Sequence, residues 1–287
     1  MTYKNQGCGH SILLPLLILS AQFACGWATA EGIGIPGRTT EKPIEISADQ
    51  GIEWRQKNNS YSAHGNAKAV QGNVAVHAET LTAFYRKTPN KGSQIWRIDA
   101  DGDVRIITPS QRAYGKKGTY NVTKGVLTLT GSVSLDTKSD RITARDSLEY
   151  WEKKNIAIAR GNAIATRGAN RLRADMLTAH FETDKDGKSQ VRKVDAFDNI
   201  IITTPDEVIK SHRGVYNLKT GIVTLTGFVK ITRGGNQLNG ASAKVNLNTG
   251  VSNIFGDGTR SVRGIFTNHV KGPKLGNIKK KLKGVSE

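Results

Sequence analysis

Asp99, Asp101, Gly102 and Asp103 have the acidic spacing of a calcium-binding loop. Such a loop needs a bidentate acidic side chain at its twelfth position, and this chain has Ser110 there. We therefore predict a hairpin turn at Asp101-Gly102 rather than a calcium site.

Histidines and glutamates are the other candidates for metal or acid–base chemistry. Beyond the first thirty residues, the histidines show no H-x-x-x-H or comparable ligand spacing; they are His64, His77, His180, His212 and His269. Glu53 and Glu149 could suggest an acid pair, but they more simply mark one polar strand position twice. No G-x-S-x-G motif is present. We predict a non-enzymatic protein with no catalytic residue, metal or cofactor.

Six arginines make the middle of the chain basic: Arg141, Arg145, Arg160, Arg167, Arg171 and Arg173. Four of them are candidates for a binding role: Arg141, Arg145, Arg171 and Arg173. They could form a solvated face. They could also contact phosphate groups of a ligand, because guanidinium groups form charge-assisted hydrogen bonds to phosphate. Both interpretations stay open from the sequence alone.

The first thirty residues predict a secretory signal peptide. Lys4 precedes a short apolar run at 12–19, and Ala28-Thr29-Ala30 supplies a cleavage pattern. We expect the mature chain to begin near Glu31; a retained anchor is the alternative. Both cysteines precede residue 31, so the mature chain would have no thiol. The net charge of +18 favours polyanions, and secretion argues against nucleic acid among them.

Two terminal stretches lack hydrophobic periodicity. Residues 31–43 contain glycine, proline and charge and predict a flexible lead. Residues 268–287 are rich in lysine and poor in apolar side chains, which predicts a disordered basic tail.

The chain repeats itself after 96 residues without a gap. Gly65-Asn66-Ala67 aligns with Gly161-Asn162-Ala163, and Leu129-Thr130-Gly131 aligns with 225–227. About thirty aligned positions are identical, so the two copies should share a backbone plan. We place the first β unit at 44–140 and the second, with closing strands, at 141–267.

Within each copy, apolar and polar residues alternate, as they do in strands with one buried face. Turn-like pairs punctuate the runs at Gly65-Asn66, Gly102-Asp103, Gly131-Ser132, Gly161-Asn162, Asp198-Asn199 and Gly227-Phe228. Hairpin turns are also indicated at Lys124-Gly125, Asp186-Gly187 and Thr220-Gly221. The fold class is all-β: an elongated, twisted open jelly roll or β-sandwich built from two 96-residue repeats.

An interior of modest aliphatic side chains can leave a slot that suits acyl chains. From parity, the predicted groove residues are Val74, Val76, Leu81, Ile106, Leu129, Val133, Ile142, Leu172, Leu177, Ile202, Leu225, Val229 and Ile231. Ordinary core packing is the alternative for each of them.

The runs Pro43–Asp49, Gly65–Gly72, Ala78–Tyr85 and Gly125–Gly131, with Asn248-Thr249-Gly250 and Val262–Phe266 near the end, resemble the LptA/OstA family of periplasmic lipopolysaccharide-transport proteins. The resemblance covers about residues 44–266. It departs from the family's usual pattern in carrying two units in tandem.

The resemblance implies a periplasmic protein whose interior shields the acyl chains of lipid A. It implies a place in a bridge from inner to outer membrane, between an LptC-like and an LptD-like partner. The exposed end strands also suggest head-to-tail self-association. The alternative is a secreted structural or adhesive β-repeat protein with a dry core.

Overall fold

The protein is built from strands. The computed structural model describes residues 44–88, 92–183, 185, 189–259 and 261–267. The predicted signal peptide, flexible lead and basic tail, and the Asp186-Gly187 turn, lie outside these residues. The strands are β1 (Glu45–Ser47), β2 (Gly51–Arg55), β3 (Ser60–Gln71), β4 (Val74–Thr88), β5 (Gly92–Ile107), β6 (Gln111–Asn121), β7 (Val126–Thr130), β8 (Val133–Thr137), β9 (Arg141–Ala144), β10 (Ser147–Trp151), β11 (Ile156–Arg167), β12 (Asn170–Thr183), β13 (Ser189–Thr203), β14 (Glu207–Asn217), β15 (Ile222–Arg233), β16 (Asn236–Asn246), β17 (Val251–Phe255) and β18 (Arg263–Ile265).

Two short 3-10 turns interrupt the strands, at Gln56–Asn58 and Glu152–Lys154, and no α-helix occurs among the described residues. None of the helical segments described is long and apolar enough to cross a membrane.

The long strands are shared between two sheets. Sheet I contains β1, β8, β9 and β18 with one half of each long strand, and sheet II contains β2, β7, β10 and β17 with the other half. All pairings are antiparallel, and consecutive long strands pair with each other in both sheets. The result is an all-β, open jelly roll, as the sequence predicts.

Each long strand bends as it passes from one sheet to the other. At the bends, β3, β5, β11, β13 and β15 carry two successive residues with positive φ, and the β7–β8 junction has the same feature at Gly131-Ser132 (φ 81° and 51°). These are the six turn-like pairs of the sequence. Two bulged residues face fewer residues on the neighbouring strand, so the pairing register shifts there. We call this line of bends the bend edge.

The bulges keep apolar side chains inside on both sides of each bend. In a bulged strand, residues of the same odd or even numbering face inward before and after the two bulged residues, as Ala63 and Ala67 of β3 do. In the neighbouring strand without a bulge, the inward residues change from even to odd numbering at the bend, as Ala78 and Leu81 of β4 show. The inward faces therefore form two interior clusters, a large one that spans both copies and a smaller one near the end of the chain.

Two sequence predictions about turns are confirmed and one is wrong. The chain reverses at Lys124-Gly125, between β6 and β7, and at Thr220-Gly221, between β14 and β15. Asp101-Gly102 is not a hairpin turn, because both residues lie inside β5 at its bend. The bend needs the left-handed backbone of a turn without reversing the chain.

The two copies form continuous sheets. β8 of the first copy pairs with β9 of the second, and β7 pairs with β10. Within the part of the chain that the structure describes, each sheet contains fourteen strand segments. Thirteen steps of about 4.8 Å give each sheet a length of about 60 Å.

We predict that an alanine at Gly102 destabilises the fold more than an alanine at Gly168. Both glycines have positive φ, which costs a residue with a Cβ about 1–2 kcal/mol. At Gly102 the new Cβ would also lie 2.6 Å from Cγ and 2.7 Å from Cβ of Glu79, whereas at Gly168 nothing lies within 4 Å. Urea unfolding should therefore show a loss for Gly102→Ala that exceeds that for Gly168→Ala by about 1 kcal/mol or more. Equal losses would contradict the close approach at the bend.

Candidate functional site

The inner faces of the two sheets enclose an apolar interior, which is called the cleft here. Side chains next to the bend edge are fully buried: Ala67 is 0% exposed, and Val104 and Val229 are each 1% exposed. Farther from the bends, interior residues such as Val74, Leu172 and Ile202 are only partly buried. The interior is thus fully packed next to the bend edge, which is the apex of the cleft. Exposure of the inward side chains increases toward the two opposite rims, where the hairpins lie.

All of the predicted groove residues lie on the inner faces. Eight are buried: Leu81, Ile106, Leu129, Val133, Leu177, Leu225, Val229 and Ile231. Five are partly buried: Val74, Val76, Ile142, Leu172 and Ile202. The structure therefore brings them together along one interior. The partly buried set is the part of that interior that is exposed to solvent.

An aromatic group lines the sheet II rim at the beginning of the chain. The rings of Trp54 and Tyr61 stack with centroids 5.7 Å apart, and Tyr61 lies 5.2 Å from Tyr85. Trp54 Nε1 donates a hydrogen bond to Tyr85 Oη at 2.9 Å. Trp54 remains 56% exposed, so its ring is not covered by other described residues at this rim.

Further tyrosines continue this rim. Tyr120 Oη donates a hydrogen bond to Glu152 at 3.0 Å. Burial, and then the charge and hydrogen bond of Glu152, raise the pKa of Tyr120 well above its usual range. Tyr150 packs edge-on against Phe181. A tyrosine presents an apolar ring with a polar tip, which suits the mouth of an apolar cleft.

The sheet I rim carries ion pairs. Arg167 binds Asp140 through two hydrogen bonds of 2.5 and 2.7 Å, and Arg233 binds Glu207 at 2.8 Å. Both arginines lie at the hairpin ends of strands that line the cleft. The two rims therefore differ: one is aromatic and the other is charged.

The four predicted phosphate-binding arginines do not line the cleft. Arg141, Arg171 and Arg173 alternate with inward residues and lie on the outer face of sheet I. Arg145 lies at the bend edge, where it forms a 2.7 Å ion pair with Asp146. Arg141 lies 3.5 Å from Asp136. Their role toward phosphate stays a prediction.

The remaining candidate residues belong to ordinary surface pairs. Asp99 binds Arg97 at 2.7 Å, and Asp101 binds Lys117 at 2.8 Å. Among the described residues, no group of three histidine, cysteine or acidic side chains could hold a metal ion.

Glu53 and Glu149 occupy one strand position in the two copies, as the sequence indicates. Both lie on the outer face of sheet II, opposite Ser62 and Ile158. A hydrogen bond from Arg55 lowers the pKa of Glu53. Burial alone would raise the pKa of Glu149, but hydrogen bonds from its neighbours, Arg160 first, hold it below its usual value.

The sequence did not single out the aromatic rim. Low aromatic content drew attention to aliphatic side chains alone. The alternation of inward and outward residues does predict this rim. Tyr61 lies two positions from the inward Ala63, and Tyr85 lies four positions from the inward Leu81. Extending each alternating run to the strand end would have found both residues.

Two antiparallel sheets folded along one edge around an aliphatic cleft define an open β jelly roll. The family model described as "LptA/(LptD N-terminal domain) LPS transport protein" matches this chain twice, at residues 45–146 and 142–251. The two matches together cover more than half of the chain. The chain therefore belongs to this lipopolysaccharide-transport family and carries its domain in tandem.

Two similar proteins complete the comparison. An uncharacterized protein of Rhizobium meliloti (strain 1021) is 27% identical over 117 residues, covering 39% of this chain and 62% of the relative. The chain thus spans about three fifths of that relative's length. LptH, the LptA homologous periplasmic component of the lipopolysaccharide transport device of Pseudomonas aeruginosa, has a TM-score of 0.39 and 19% identity, covering 45% of this chain and 94% of LptH.

We predict that truncation at the apex of the cleft costs more stability than truncation near a rim. Leu129 is 1% exposed and Leu172 is partly exposed. Leu129→Ala should cost about 3–5 kcal/mol and Leu172→Ala about 1–2 kcal/mol, because less buried surface is lost at a partly exposed site. Urea unfolding of lipid-free protein measures both. A reversed order would contradict a cleft that opens away from the bends.

Proposed function

We propose that this protein is a periplasmic carrier that holds the acyl chains of lipopolysaccharide in its cleft. The observation that carries the proposal is a continuous aliphatic interior whose exposure increases toward the rims. Each buried CH₂ contributes roughly 0.8 kcal/mol, so about ten methylene groups from one acyl chain would gain about 8 kcal/mol before ordering costs. Family membership supports the same ligand.

The saccharide part of the ligand would lie at the mouth of the cleft. Tyrosine hydroxyls on the sheet II rim and the ion pairs of the sheet I rim provide polar partners there. This arrangement allows the hydrocarbon to be buried while the headgroup stays in water. Binding and release without chemical turnover meet the requirements of a carrier.

We further propose that the protein forms a segment of a bridge between the two membranes. Its end strands are exposed: Ile52 of β2 is 56% exposed and Phe255 of β17 is 49% exposed. Unpaired edges of this kind accept another strand. The partners would be an LptC-like protein at the inner membrane, an LptD-like protein at the outer membrane, or a second copy joined head to tail.

One prediction of the proposed function concerns the cleft ligand. A photo-crosslinking amino acid at Leu172 or Ile202, which pair across two strands inside the cleft, should crosslink to lipopolysaccharide. The matched controls are Arg171 and Thr203, which pair one residue away on the outer face. Gel mobility and immunoblotting for lipopolysaccharide detect the adducts. Labelling at none of the four sites would favour the dry-core structural protein, and equal labelling would show that the cleft is not the site.

The second prediction concerns head-to-tail joining. Ile52→Lys with Trp54→Lys should block the first edge, and Val251→Lys with Phe255→Lys the last edge, because added like charges prevent strand addition. Each variant alone should be monomeric in light scattering at concentrations where the wild type associates. An equimolar mixture should form dimers, since one free edge of each kind remains. A mixture that stays monomeric would exclude this mode of assembly.

A further inference from the structure

The outer face of sheet I carries a row of paired residues that crosses every strand of that sheet and is rich in cations. In the row nearer the bend edge, residues pair one to the next from Ser47 to Arg263. Its basic members, all exposed, are Lys68, Arg105, Arg173, Lys210, Lys230 and Arg263. No aspartate or glutamate occurs in this row.

The cations of this row have no acidic partners among the described residues. Lys210 and Lys230 are directly opposite each other, and His77 pairs with both Lys68 and Arg105. Like charges opposite each other on a sheet are destabilising. Burial, followed by the charges of Arg105 and Lys68, lowers the pKa of His77. The free protein thus carries an unneutralised positive potential along this wall.

The outer face of sheet II shows the opposite arrangement. Five of its acidic residues are each paired with a cation at 2.7–3.0 Å: Glu53 with Arg55, Asp99 with Arg97, Asp101 with Lys117, Glu149 with Arg160, and Asp195 with Lys193. Glu182 is paired with Arg192. The two outer walls are built largely from the same long strands, but their charged residues are paired differently. The unpaired row on sheet I is therefore a local property and not a consequence of net charge alone.

A second row on the same face reinforces the first. It adds Arg112, Arg141 and Arg171, with Glu45 and Asp136 as its acidic residues. Hydroxyl groups lie between the cations, among them Tyr114 and Thr143 of the first row. Along about 60 Å, the lysines and arginines of the first row are interspersed with hydroxyl-bearing side chains and with Ile164 and Ile201.

We propose that this outer wall, named here the cationic wall, binds an extended anionic polysaccharide that carries carboxylate or phosphate groups. Neighbouring strands are rotated by about 20°, so the row winds around the long axis of the sheet. A flexible linear polymer can follow a winding row, whereas a flat bilayer can contact only part of it. The hydroxyl groups supply the hydrogen bonds that sugars accept and donate. Charge complementarity supplies the long-range attraction.

The cationic wall and the cleft lie on opposite faces of the same strands. A polymer on the wall would leave the cleft mouth free, so the proposal does not depend on the proposed lipid ligand. It would hold the long axis of the protein along the polysaccharide chain.

The test compares two charge-matched quadruple variants of the full chain. The wall variant is Lys68→Gln, Arg105→Gln, Lys210→Gln and Lys230→Gln, and the control, on sheet II, is Arg55→Gln, Arg97→Gln, Lys117→Gln and Lys193→Gln. Both lose four positive charges, and both keep the same termini. The probe is polygalacturonate, a linear carboxylated polysaccharide, with binding measured by calorimetry at low salt.

The wall variant should weaken binding by about tenfold to a hundredfold, which is the combined effect of losing four exposed ion pairs of ordinary strength. The control should change binding by less than about threefold. The midpoint temperature of thermal unfolding should be unchanged or higher in the wall variant, because like-charge repulsion is removed. Crosslinking of lipopolysaccharide at Leu172 should persist in that variant. If the wild type shows no crosslinking at Leu172 but binds the polysaccharide, and only the wall variant weakens that binding, the lipid proposal alone would fail.

Three outcomes would overturn the wall assignment. The first is equal weakening in both variants, which would indicate net charge alone. The second is no binding of polygalacturonate by the wild type. The third is binding to vesicles of 70% phosphatidylcholine and 30% phosphatidylglycerol without binding to the polysaccharide, which would indicate a bilayer surface instead.

Discussion

The structure depends on one constraint: each long strand must present apolar side chains to the same interior before and after it changes sheets. Side chains alternate strictly along a strand, so a bend that shifted the phase incorrectly would turn half of the strand outward. Bulges solve this problem along the whole bend edge. At each bulge, two residues with left-handed backbone in one strand lie opposite fewer residues in the next strand. The bulged strands keep their parity and their neighbours change it, and the interior stays apolar on both sides.

This constraint explains why so much of the fold was predictable. Thr, Val and Ile alternation identified the strands, and the inward set that includes Val133 and Leu225 was assigned correctly because parity is local. The positive-φ pairs were visible as Gly-Asn and related dipeptides. Their role was not visible, because Gly102 has the same backbone requirement in a hairpin and in a bend. Only the long-range pairing of β5 with β4 and β6 distinguishes the two.

The candidate site was less predictable because it depends on distance from the bend edge. Leu129 and Leu172 have the same chemistry and the same inward parity, yet one is fully buried and the other partly exposed. No periodic pattern records how far two sheets diverge. Parity also implies that Arg171 and Arg173 face outward, because Leu172 and Ala174 occupy the interior, but it does not show which strands share that outer wall. Charge composition shows how many cations there are, and topology shows which face they share.

The continuous pairing of β7 with β10 and of β8 with β9 has a consequence for assembly. Two separate chains that meet edge to edge must lose translational and rotational freedom, at an estimated cost of 4–15 kcal/mol. A peptide bond removes that cost at the junction between the two copies. The joint inside this chain is therefore independent of dilution, whereas every joint between chains responds to how much protein the compartment contains. Duplication thus converts a concentration-dependent contact into a permanent one and halves the number of encounters needed for a given span.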